Sequence, residues 1–462
     1  MARIALSFLL LIAAVPARAA EVKAVLHIHS AYSHGSSYPV EEIVKNAKQR
    51  GIDAVFLTDT ALGRWEYNMP PFEGVIRYTI SRNSVLSAGP GKYLSEINRL
   101  REAYPDVALF PGVEAAAYYR WSGSPLKHIT MHDWNRHMLL AGMENAADYE
   151  RLPVMGNSRA MPWKPLSMWP LLLLSSAFFL YRKGRRKQGH IVLAIGAVCF
   201  TANFPFYGFP YSMHLKDTPW APYSALAEYG QSKGALVVWA HPDSPSWDKP
   251  QQINSRASHT TARYADALEK VPETDGFAVV MEGYKHMPEP GQEWDTALMD
   301  YINGKRKLPP FAYAETDFIA PGYLGTQLDS LYMLASAADK SRPAILKALK
   351  QGHFQAVAAS DRGTIEFSTF TLGGTASFGD SISASGPLEL TVGVRSLENK
   401  LPSARIRIVR NGTLIFDEVR PLPAELRIPD ANAGLKKGYI RAMVSDVNAM
   451  AFANPVFFAE GK

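Results

Sequence analysis

One cysteine, Cys199, stands among 462 residues. An intrachain disulfide is therefore excluded, and so is a zinc site built on paired thiolates. A bound metal would have to rely on His, Asp and Glu, and twelve histidines supply the imidazoles. A basic surface is also lacking. The formal net charge is +6, but Arg3, Arg18, Arg182, Lys183, Arg185, Arg186 and Lys187 crowd two short segments, and setting those seven aside leaves −1. No nucleic-acid footprint remains, so no nucleic-acid partner is expected. Solenoid repeats and low-complexity runs are missing too. With 47% hydrophobic and 20% charged residues, the chain has the composition of a folded globular protein with a substantial core.

Charge-free apolar runs are few. Residues 1–19 read as a secretory signal peptide: Arg3 is the positive end, 4–15 the apolar stretch, and Ala17-Arg18-Ala19 the cleavage site. An uncleaved N-terminal anchor is the alternative. Residues 165–181 and 191–209 carry no charge, and at about 1.5 Å per residue each approaches a hydrocarbon core of about 30 Å. Trp163, Trp169, Tyr181, Tyr207 and Tyr211 flank them, and the basic loop 182–188 lies between. These features predict a transmembrane hairpin over 163–211 with a cytoplasmic loop. The protein would then be bound to the membrane through this hairpin, its remaining domains on the periplasmic or extracellular side. A buried helical hairpin is the alternative, favoured by Pro170 and Pro205.

Elsewhere the texture is α/β. Short β-branched strands are expected at 22–28, 52–57, 107–110, 138–141, 235–240, 277–281 and 311–314. Helical spacing alternates with them at 39–50, 91–104, 224–233, 262–270, 294–304 and 342–352. Such alternation predicts a barrel or a doubly wound sheet over 20–162 and 212–363. From 364 to 462 short alternating strands and turns, including Asn411-Gly412, predict an all-β, Ig-like sandwich.

Candidate ligands recur at the predicted strand ends. His27 and His29 close the first strand, where a period of two sends both rings to one side. Asp59, Glu114, His137, His241 and Asp317 stand beside later strands. A lone histidine beside a strand is more often a hydrogen-bonded core residue; recurrence at corresponding places argues for shared cations. His128 and His132, spaced i, i+4, read rather as a solvated face.

The run LHIHSAYSHGSSYPVEEIVKNAKQRGIDAVFLTDT resembles the first motif of the PHP (polymerase and histidinol phosphatase) superfamily, D-L-H-x-H-T-x-x-S-D-G-x-x-x-P followed by a helix and T-D-H. PGVE at 111–114, HMLLAG at 137–142, ALVVWAHPD at 235–243 and AETDFI at 314–319 look similar to its later motifs, in family order. The resemblance implies a distorted (β/α)7 TIM-like barrel, here interrupted by the hairpin, and hydrolysis of phosphoesters by a metal-bound hydroxide. The β-rich tail is similar to the branch that includes carbaryl-type ester hydrolases. Four positions depart from the pattern: Val25, His34, Thr60 and Ile319 replace the usual Asp, Asp, His and His.

What the resemblance leaves is a first metal site of His27, His29, Glu114 and Asp317 and a second of Glu114, His137 and His241, with His34 a remnant or accessory ligand. Two divalent ions are expected, of Zn, Mn or Fe. Glu114 and Asp59 are the residues expected to act in catalysis, Asp59 by orienting a ligand histidine or accepting a proton. The expected substrate is a small phosphoester or ester. The competing reading is a degenerate barrel that binds without turnover. A polymerase-associated nuclease conflicts with export and with the missing basic surface.

Overall fold

The first strand, Ala20–Ile28, is buried along nearly its whole length and holds two neighbours of opposite sense. Leu331–Ala337 lies antiparallel to it and Ala54–Leu57 parallel. The computed structural model describes residues 19–69, 76–160, 168–203, 209–244, 247–279, 286–323, 326–447 and 449–461. The signal peptide expected over 1–19 lies outside the described residues except for Ala19.

Two large sheets carry the core. The larger runs in the order Thr413–Pro421, Ser403–Arg410, Lys437–Ser445, Met450–Glu460, Phe354–Ala358, Leu331–Ala337, Ala20–Ile28, Ala54–Leu57, Ala108–Phe110, with Ser381–Ala384 on the Met450–Glu460 strand. The smaller runs Phe311–Tyr313, Gly276–Ala278, Leu236–Trp239, Met138–Ala141, Gly112–Ala115, Asp59–Thr60. The chain steps between them at Gly112, where a Cβ would come within 2.6 Å of Leu140 O and 2.7 Å of Leu57 O. Only glycine fits there.

The expected α/β class stands, but the closed (β/α)7 barrel does not form in the strand pairings. Neither sheet closes on itself, and Met138–Ala141 runs antiparallel to both its neighbours. The sheets are tied where Thr316 N donates to Leu26 O and Phe318 N to His27 O. The expected separate Ig-like sandwich is likewise corrected. Most strands of the tail pair antiparallel, but Met450–Glu460 hydrogen-bonds to Phe354–Ala358, so five of them, Ser381–Ala384 included, join the N-terminal sheet. A three-stranded sheet, Ile365–Leu372, Leu390–Ser396 and Ala424–Ile428, forms its own ladder and is joined to the large one through Gln355, whose side chain donates to Phe367 O and accepts from Phe367 N.

The transmembrane hairpin expected over 163–211 is overturned, and the membrane localisation with it. Residues 161–167 and 204–208 lie outside the described set. Of the described residues, Pro170–Arg182 and Arg186–Asn203 are helices, but none is long and apolar enough to cross a membrane. Proline cannot donate the backbone bond of an interior position and favours a first turn. The helix therefore starts at Pro170, and its 13 residues span about 20 Å. The second helix draws Arg186, Lys187 and Gln188 of the basic loop into its first turn. Nor is the hairpin buried: Leu172, Phe179 and Ile191 are exposed.

Candidate metal centre

His27 is the bulged residue of the first strand. Leu26 pairs with Phe56 and Ile28 with Leu57, leaving His27 without a partner at a φ of 68°. Strand alternation alone therefore does not bring the two imidazoles together; a left-handed kink does, and their ring centroids lie 5.0 Å apart. His241 and Asp317 are also left-handed, with φ of 33° and 45°. Non-glycine residues in this region cost of order 1–3 kcal/mol each and gather at functional sites. Three of the expected ligands carry that strain.

Antiparallel pairing explains the rest of the convergence. Met138 faces Trp239, so His137, just before one strand, meets His241, just after the other. His137 accordingly opens its strand, as the sequence HMLLA suggests. On the other side Leu139 faces Glu114, and Glu114 faces Thr60.

Glu114 is the hub. Its Oε1 lies 3.1 Å from His27 Nε2, 2.6 Å from His137 Nδ1 and 3.4 Å from His241 Nε2, and its Oε2 lies 3.6 Å from His29 Nε2. Asp317 Oδ1 completes the ring at 3.2 Å from His29 Nε2 and 3.6 Å from His27 Nε2. Three overlapping triads have ligand atoms close enough for one ion: His27, His29 and Glu114; His27, His241 and Asp317; Glu114, His137 and His241.

Behind the ligands a second ring of groups sets the tautomers. His27 Nδ1 lies 2.8 Å from Glu315 Oε2, His29 Nδ1 2.8 Å from Ser33 Oγ, and His241 Nδ1 3.2 Å from Tyr264 OH. The Ser33 hydroxyl donates to Asp59 Oδ1 and the Tyr264 hydroxyl to Ala240 O, so each oxygen accepts the histidine N–H. All three imidazoles thus keep the Nε2 lone pair for the centre. Asp59 stands behind His29: its oxygens accept from Ser30 N, Ser30 Oγ and Ser33 Oγ, and burial pushes its carboxyl up. Asp59 thus reaches His29 only through Ser33. His34 stays at the rim, its Nδ1 3.0 Å from Thr60 Oγ1 and its ring edge-on to Trp65 and Trp134. Burial lowers its pKa to about 4, and it belongs to none of the three triads. His128 and His132 occupy a strand elsewhere, bonded to Ser258 and Ser122.

Sequence reading missed Glu315, Tyr264 and Ser33. Glu315 stands two residues before Asp317 in the same AETD run, and an acid directly after the apolar FAYA stretch was the available signal.

The residues present suit divalent cations. His27 Nε2 and His137 Nδ1 are buried with no aligned hydrogen-bond donor or acceptor, and both face carboxylate oxygens. A lone pair pressed against an anion is stable only with a proton or a cation between them. In the metal-free state a proton takes that place. Burial works to discharge His27, yet Asp317, Glu114 and Glu315 outweigh it and hold its pKa well above that of a free imidazole. Burial opposes the charge of Glu114 as well, but His137 and His27 keep its carboxyl well below the usual range.

Fold and site together define a mixed α/β protein with a buried His/carboxylate centre of the kind that holds divalent metal. Residues 26–151 match the PHP domain family, which includes metal-dependent phosphoesterases. That stretch contains His27, His29, His34, Asp59, Glu114 and His137, whereas His241 and Asp317 reach the same centre from beyond it. No curated protein matches the chain.

Proposed function

We propose that the protein is a metal-dependent hydrolase of phosphoesters or small esters, working at two divalent ions bridged by Glu114. The observation that carries this reading is the convergence of four imidazoles and two carboxylates on one point, with three imidazoles anchored through Nδ1. His27, His29, Glu114 and Asp317 would hold one ion and Glu114, His137 and His241 the other; Zn, Mn and Fe all suit such ligands. Ions bound there supply Lewis acidity, polarising the scissile group and bringing the pKa of water towards neutrality. The protein's own part is orientation: Asp59 holds Ser33, and Ser33 fixes His29. The substrate proposed is a small molecule.

The test is hydrolysis of a panel of phosphomonoesters, phosphodiesters and aryl esters with added Mn2+ or Zn2+, for the wild type and Glu114→Ala. Turnover that vanishes in the variant supports the enzyme. The second reading, a fold that binds ligand without turnover, draws on one observation: Thr60 and Ile319 stand where the PHP pattern has histidines. Bound metal with no turnover across the panel would favour it.

A further inference from the structure

We propose that Glu315 is a positioning residue that presets His27 for metal and ties it to His241. This rests on the metal-centre reading above. Glu315 is buried at the end of the Phe311–Tyr313 strand, and its two oxygens serve two different ligands. Oε2 lies 2.8 Å from His27 Nδ1, and Oε1 accepts from the backbone N–H of His241 at 2.7 Å. Glu114 also reaches both residues, but at the Nε2 atoms of their rings, whereas Glu315 holds them from behind. A carboxylate only accepts, so Nδ1 keeps its proton and Nε2, facing Glu114 and Asp317, is the atom left to give up its own proton to a metal. The second oxygen restrains His241, whose φ of 33° is otherwise strained.

Glu315→Gln separates this role from mere packing, because the side chains are nearly isosteric. The amide oxygen still accepts from His241 N–H. The amide NH2, however, must donate to His27 Nδ1, which drives the imidazole proton onto Nε2 and blocks that atom as a ligand. The ion held through His27 is therefore weakened about tenfold to a hundredfold, the usual effect of removing a partner that orients a ligand. The ion held by Glu114, His137 and His241 keeps its affinity.

Calorimetric titration of the chelator-stripped full chain with Zn2+ reads both affinities at once. One weakened and one unchanged ion in Glu315→Gln is the expected result. Two unchanged ions, or two equally weakened ions, would overturn the role of Glu315 while leaving the metal centre standing. No uptake by the wild type would overturn the centre itself and the proposal with it. Should the variant not fold, 15N–1H correlation on the Zn2+-loaded wild type decides. A downfield, exchange-protected proton on His27 Nδ1 supports the assignment, and a labile or absent one overturns it.

Discussion

Arg441 and Asp295 form a two-pronged ion pair sealed from solvent, Nε to Oδ1 at 2.6 Å and Nη2 to Oδ2 at 2.8 Å. The Tyr439 hydroxyl donates to the same carboxylate, and the guanidinium lies over the Trp294 ring. The pair clamps the Lys437–Ser445 strand of the tail onto the Glu293–Ile302 helix. Removing one partner strands a buried charge, so Asp295→Ala should cost about 3–5 kcal/mol in denaturant unfolding. Replacing both with apolar residues of similar volume should recover much of that loss.

Glu114 reaches four histidines, whereas His137 belongs to only one triad. Glu114→Ala should therefore release both ions and His137→Ala only one, counted as metal per chain after desalting. Activity in Glu114→Ala should fall more than about a hundredfold, the upper range for losing a group that merely orients a ligand. Equal metal content in the two variants would contradict a shared carboxylate.

Metal uptake should strengthen as pH rises, because protons occupy the same atoms. Burial works to lower both imidazoles, but the carboxylates around His27 and Glu114 beside His241 leave their pKa values raised, and Glu114 and Asp317 are lowered. In the metal-free chain the raised imidazoles contribute stability fully below about pH 6.5, lost as pH climbs through their folded pKa. The lowered carboxylates contribute above about pH 4.5, lost as pH falls. The melting temperature of the stripped protein should thus peak in mild acid, and that of the loaded protein should hold at higher pH. Titrations in buffers of different ionisation enthalpy should show proton release on binding.

Ser33 stands between Asp59 and His29. Ser33→Ala removes the acceptor for the His29 Nδ1 proton, and its effect should appear as metal affinity lowered about tenfold to a hundredfold. Far-ultraviolet circular dichroism should not change. A variant with wild-type affinity would show that His29 needs no support.

The candidate residues that the structure brings together could be singled out because they follow local rules: His27 and His29 flank one strand residue, and Glu114, His241 and Asp317 sit where apolar runs stop. What brings them together is not local. The kink at His27 depends on pairing with Ala54–Leu57, and the meeting of His137 with His241 depends on antiparallel pairing that hydropathy does not encode. The Met450–Glu460 strand escaped prediction since Pro455 interrupts it; the structure seats that proline opposite the irregularity between Ile440 and Ala442. The hairpin was legible as two helices, but hydropathy alone does not say where a helix begins, and Pro170 moves the start inward.

Because Met450–Glu460 is stitched along Phe354–Ala358, two strands from the one bearing His27, the tail cannot be pared away as an accessory. A chain stopped at residue 363 would bare a ladder of unpaired amides and invite edge-to-edge clumping. Damage in the tail would then travel through two strands to the one that carries His27.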